Sequence, residues 1–166
     1  YSSAASDVYK RQAQWYTVGV SADGGYNLSE ELTTRENAAA NILTTATNTL
    51  GADTAEVQTA QDALTAFRND LDGLNAGKTR MHAVYEDDAA LGAAIDQLYA
   101  KLQEQAADPM KMGAVQGQYG QFNSAGTVIG NLSYNEAVAS YQKETGSFPA
   151  SLLKGLFGIK EVEPFA

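Results

Sequence analysis

Residues 53–75 read DTAEVQTAQDALTAFRNDLDGLN, and the apolar positions Val57, Ala60, Leu64, Phe67, Leu71 and Leu74 step by 3, 4, 3, 4, 3. This spacing keeps every apolar side chain on one face of an α-helix and forms a regular, coiled-coil-like seam. Asp53 and Thr54 stand where an N-cap belongs. A helix with a single apolar stripe needs neighbours to cover that stripe, so this stretch predicts a packed helical assembly.

The flanking chain carries the same grammar. Upstream, Asn27 with Glu30 three residues later resembles a capping box, and Leu32, Ala39, Leu43, Ala46 and Leu50 follow helical spacing until Gly51. Downstream, a helix starting near Gly77 places Met81, Val84, Leu91, Ile95, Leu98 and Leu102 on one face. Asp88 interrupts that face where an apolar residue is due, and the expectation is that it lies at the bundle rim. Asp108-Pro109 opens a fourth helix, predicted to run to about Thr145, since Pro is tolerated in a first turn. Gly113, Gly117, Gly120, Gly126 and Gly130 weaken it. Gly126 and Gly130 share a side with Val115, Tyr119 and Phe122, where they let a neighbouring helix approach closely or else mark a bent helix. Alternation of period 2 is confined to WYTVGV, residues 15–20, ahead of the turn-like SADGG. The fold class is all-α: an elongated antiparallel three- to four-helix bundle, closed by a short C-terminal helix docked on it.

Composition limits the function. With 44% hydrophobic residues, 166 residues suit one domain with a modest core. Lys and Arg total 11 against 20 Asp and Glu, and the resulting net charge of −9 disfavours nucleic acid, which demands clustered cations. No run of ~18–20 apolar residues appears, and the first residue is not Met. Residues 2–12, SSAASDVYKRQ, match codon for codon one frame of the common transposase sequencing adapter. We therefore expect residues 1–12 to be non-native and a single domain to span 13–166. Without Asp7, Lys10 and Arg11 there remain 9 basic and 19 acidic side chains, a net −10.

No catalytic constellation stands out. His82 is the sole histidine and cysteine is absent, so neither a His-Cys metal site nor a thiol nucleophile can form. His82 reads as a surface or half-buried polar group. Glu86-Asp87-Asp88 reads as a solvated acidic face, because adjacent helical residues diverge by about 100° and do not converge on one ion. SADGG lacks the glycine spacing and lysine of a phosphate cradle. Tyr99, Tyr119, Tyr134 and Tyr141 fall at or beside seam positions, as core aromatics with hydroxyls at the edge. The expectation is no catalytic residue, no cofactor and no metal.

The C-terminal stretch is more distinctive. Gly146 should end the long helix, Ser147 cap a new one and Pro149 sit in its first turn, with Leu152, Leu153, Leu156 and Phe157 as its apolar face. So short a helix cannot persist alone, so it docks on the bundle, with Phe157 as anchor, or lies in a membrane interface. Tyr134-Asn135, Val138, Tyr141, Phe148-Pro149, Leu156-Phe157-Gly158 and the late Phe165 together resemble the C-terminal pattern of the LemA family. Arg35-Glu36-Asn37 through Asn41-Ile42-Leu43 resembles that family's first-helix segment. Gln142, Ile159 and Ala39-Ala40 depart from the pattern and mark a divergent member.

The resemblance implies a transmembrane helix upstream of residue 13, a helical bundle behind it, and a single-pass cell-membrane location for the full-length protein. It implies a non-enzymatic scaffold or protein-interaction module with protein partners. Two alternatives stay open: a regulatory subunit whose site is shared with an envelope enzyme, and an unrelated soluble secretion or phage component.

Overall fold

A computed structural model describes residues 14–105, 108–145 and 163–166. Among these residues, a helical turn at residues 14–17 and a 3₁₀ turn (Ser21–Asp23) are followed by five helices. They are α1 (Leu28–Leu50), α2 (Ala55–Asn75), α3 (Met81–Gln105), α4 (Pro109–Asn131) and α5 (Tyr134–Thr145). No strand occurs among the described residues. The all-α bundle is the fold.

Local chemistry sets the helix ends. Asn27 Oδ1 accepts the Glu30 N–H at 2.9 Å and starts α1. Gly51, at φ 92°, ends it in a conformation that favours glycine, with its own N–H donated to Thr47 O. Thr54 stands at the N-cap of α2, though its hydroxyl donates backward to Leu50 O at 2.7 Å. Asp108 caps α4 through the Met110 N–H, with Pro109 in the first turn.

Helices α1 to α4 run up, down, up, down. Glu36 near the start of α1 meets Arg68 near the end of α2, Asn41 meets Gln118 of α4, and Tyr119 of α4 meets Asp96 of α3. The most extensive contacts are α1 with α4 and α2 with α3, while α1 also touches α2 and α3. Helices α1 and α3 therefore occupy the middle, with α2 and α4 on either side. The predicted seam of α2 is the observed one: Val57, Ala60, Leu64, Phe67 and Leu71 are buried and Leu74 packs half-buried against the core. Together with Leu32, Ile42, Leu91, Ile95, Leu98, Leu102 and Phe122 they form one apolar cluster, the main favourable term in folding.

Two boundaries differ from the sequence expectation: α3 begins at Met81 and not near Gly77, and the fourth helix is shorter. The fourth helix does not continue to Thr145 but breaks at Leu132, whose ψ of 145° is extended. The cause lies 110 residues away. Asp23 of the 3₁₀ turn accepts both the Ser133 N–H (2.9 Å) and the Ser133 hydroxyl (2.8 Å), holding the chain at the start of α5. The tyrosines behave as core-edge aromatics: Tyr99 and Tyr119 stack at 4.0 Å, and the Tyr119 hydroxyl donates to Asp96 at 2.6 Å.

Candidate functional site

The acidic triplet of α3 splits among three partners. Glu86, exposed, faces His82 Nε2 at 2.8 Å one turn back. Asp87 faces Asp70 of α2, and Asp88 turns inward to Arg35 of α1. The divergence of adjacent helical residues is as expected. A solvated face, however, describes only Glu86.

Arg35 is almost fully buried, at 7% exposure. Its Nε donates to Asp88 Oδ1 at 2.6 Å, Nη1 to the Phe122 carbonyl at 3.0 Å and Nη2 toward the Asp88 carbonyl at 3.5 Å. The guanidinium also lies 3.9 Å above the Phe122 ring centre, a cation–π geometry. Asp88 is therefore no bare rim residue, because an uncompensated buried cation needs it. Burial pushes the Asp88 carboxyl upward, and the charge and hydrogen bond of Arg35 pull it back only in part. Gly126 answers this group: a Cβ there would sit 2.5 Å from Arg35 Nη1. What Gly126 admits is thus a side chain and not a helix backbone, and around Gly130 there is open space. Arg35 spends its donors on the fold, tying α1, α3 and α4 together.

Asp87 is held differently. Its Oδ2 is shielded from solvent and meets no donor. Burial, then the hydrogen bond and charge of Asp70, then the charge of Glu86, push its carboxyl up to about 7. Two carboxyls can hydrogen-bond only by sharing a proton, so the α2–α3 seam carries one near neutrality.

The third cluster gathers where α3 and α5 begin, and it holds residues 163–166. Asn135 grips Phe165 at two points: Oδ1 accepts its N–H at 2.8 Å and Nδ2 donates to its carbonyl at 3.1 Å. The Tyr134 hydroxyl donates to the Glu163 carbonyl at 3.0 Å. The Glu163 carboxylate accepts the Met81 N–H at 3.0 Å, at the N-terminus of α3, and pairs with Arg80. Phe165, buried, meets the Tyr85 ring edge-on at 5.2 Å. His82 Nδ1 lies 2.6 Å from the Ala166 backbone oxygen, and this bond, ahead of the Glu86 charge, raises its imidazole.

The residues singled out from the sequence divide between this cluster and its support. Tyr134 and Asn135 hold the tail directly. Val138 and Tyr141 bury the same face of α5, and Tyr141 meets Trp15 edge-on at 6.0 Å. Phe148, Pro149, Leu156, Phe157 and Gly158 lie outside the described residues, as do the proposed short helix and residues 1–12. Sequence reading missed Asp23 and Glu163. For Glu163 the available signal was an acid and an aromatic flanking Pro164, and for the α5 start it was Ser133 with Glu136 three residues on.

A shallow groove of 310 Å³ lies between α1 and α2. Its Thr44 and Thr47 hydroxyls donate to carbonyls of their own helix, and its Arg68 pairs with Glu36. Among the described residues no group of three His, Cys, Asp or Glu side chains is arranged for a metal ion, and no helix is long and apolar enough to cross a membrane. No family model, no curated protein and no solved structure matches the chain.

Proposed function

We propose that the chain is the helical domain of a LemA-like, membrane-tethered scaffold or protein-interaction module, with its tether upstream of residue 13. The observation that carries this reading is the grip of Tyr134 and Asn135 on a non-helical segment. These side chains hydrogen-bond the segment's backbone, which is how a module holds a peptide and not how it processes a substrate. The bundle supplies a rigid base, because Arg35 ties three helices at that same pole. The reading as a regulatory subunit of an enzyme gains little, since Asp87, the carboxyl that burial and its neighbours raise, is not among the residues lining the α1–α2 groove.

The test is to extend the reading frame upstream of residue 13 in the source DNA and express the product with a photo-crosslinking residue replacing the exposed Tyr85. The expected result is a run of about 20 apolar residues, sedimentation with membranes, and a discrete heteromeric adduct that Asn135→Ala diminishes. A soluble product without an adduct would overturn the proposal.

A further inference from the structure

The notch between the first turns of α3 and α5 is occupied by the chain's own residues 163–166, and its contacts separate into two kinds. Four of them address backbone. Asn135 takes both the N–H and the C=O of Phe165, Tyr134 takes the Glu163 C=O, and His82 Nδ1 meets the Ala166 backbone oxygen. A side-chain amide that exchanges two hydrogen bonds with one residue repeats the pairing of an antiparallel β-bridge. Any peptide that presents a residue in extended form can satisfy it.

The remaining contacts address side chains. The carboxylate of Glu163 meets Arg80 and the first N–H of α3, where orphan amides and the helix dipole both favour an anion. Two residues on, the Phe165 ring is buried against Tyr85. Pro164 between them lacks an N–H, so the link leaves no donor unsatisfied, and its fixed φ limits the entropy lost on docking. The notch thus selects a carboxylate followed two positions later by an aromatic.

We propose that this notch is a peptide-recognition site for a segment of a partner protein carrying a carboxylate two residues ahead of an aromatic ring, and that residues 163–166 occupy it in cis as a built-in competitor. This deepens the interaction-module reading and rests on it. The rim is open to an incoming segment: the side chains of Arg80 and His82 are 74% and 60% exposed, and Tyr85 is 41% exposed. A tethered tail acts at an effective concentration of roughly millimolar order, so an external peptide gains the site by outcompeting it or by the tail's release.

The test uses the full chain and a fluorescein-labelled peptide Lys-Glu-Val-Glu-Pro-Phe-Ala, the sequence of residues 160–166. The double substitution Glu163→Ala, Phe165→Ala vacates the notch. Anisotropy titration should show saturable binding to this variant at least about tenfold tighter than to the intact chain. Adding Asn135→Ala should abolish that gain, and replacing the peptide's phenylalanine or its second glutamate with alanine should do the same. Circular dichroism confirms that each variant keeps its helices, and Phe165→Ala alone serves if the double variant does not. A folded, vacated chain that shows no saturable binding up to about 1 mM would overturn the proposal. So would binding that ignores the glutamate and the ring. A crosslinked adduct in cells without peptide binding would overturn the ligand assignment and leave the interaction-module reading standing. A concentration-dependent dimer of the intact chain that Phe165→Ala abolishes would assign the site to a second copy and overturn the partner.

Discussion

Arg35 and Phe122 meet twice: the guanidinium carbon lies 3.9 Å from the ring centre, and Nη1 donates to the carbonyl of the same residue at 3.0 Å. With Asp88 as counter-ion, this one side chain joins α1, α3 and α4. Arg35→Met should cost about 3–5 kcal/mol, because it strands the largely buried Asp88 carboxylate. Asp88→Leu, which the apolar seam would favour, should cost a similar amount by stranding the cation. The pair Arg35→Met with Asp88→Leu should restore most of the loss. Urea denaturation of the cycle measures this. Additive losses in the double variant would show that the two residues act independently.

The glycines of α4 should behave unequally. Around Gly113, Gly117, Gly120 and Gly130 an added Cβ meets nothing within 4 Å. Alanine at each should therefore stabilise by about 0.5–1 kcal/mol through lower unfolded-state entropy. Gly126→Ala should destabilise by about 1–3 kcal/mol, because its Cβ would lie 2.5 Å from Arg35 Nη1 and three hydrogen bonds and a ring keep the guanidinium from swinging aside. Thermal denaturation of the five variants checks the order. If Gly126→Ala stabilised like the others, the guanidinium would be free to move.

What could be read from the sequence was whatever repeats locally. The α2 seam, the Asn27 and Asp108 caps and the Gly51 stop depend on neighbours within a few residues, and all are found in place. What pairs across the chain was illegible to periodicity. Asp88 looked like a defect of the α3 face because its partner sits 53 residues away. Arg35 likewise falls on the buried face of α1, between Leu32 and Ala39. Two opposite charges that each violate a buried stripe are complementary defects. The α4–α5 break depends on Asp23, 110 residues distant, although the Ser133 and Glu136 spacing already hinted at a new helix start. Spacing marks Tyr134 as a core aromatic with its hydroxyl at the edge, whereas only the resemblance singles out Asn135, and the task the pair shares is visible only with the tail in place.

Stability should fall as pH rises through neutrality because of Asp87. Its folded carboxyl is raised from 3.8 to about 7, so between those values the folded chain binds a proton that the unfolded chain has released. The stabilising contribution is complete below about 4 and is lost as pH rises through about 7. Because solvent reaches part of the pair, its size is about 1 kcal/mol and not the full value of the shift. Asp87→Asn should remove this slope and leave the chain more stable than the parent at pH about 8. Urea midpoints at pH about 5 and about 8 test it. An unchanged slope in Asp87→Asn would place the shared proton elsewhere.

The tail should respond to pH through a different group. The Ala166 oxygen, then the Glu86 charge, raise His82 above 6.5, which favours its cationic form in the docked state. A histidine raised on docking holds the tail best below its free value and loosens it as pH climbs through the docked value. The Phe165 N–H, donated to Asn135 Oδ1, is the local reporter. Its hydrogen exchange, corrected for intrinsic rates, should accelerate with rising pH in the parent and become flat in His82→Gln, while amides in the 57–74 seam of α2 keep the slope set by Asp87. Asn135→Ala should remove protection at Phe165 at every pH without reaching that seam. If the tail and the seam instead lost protection together in His82→Gln, the tail would be part of the cooperative core and not a separately docked segment.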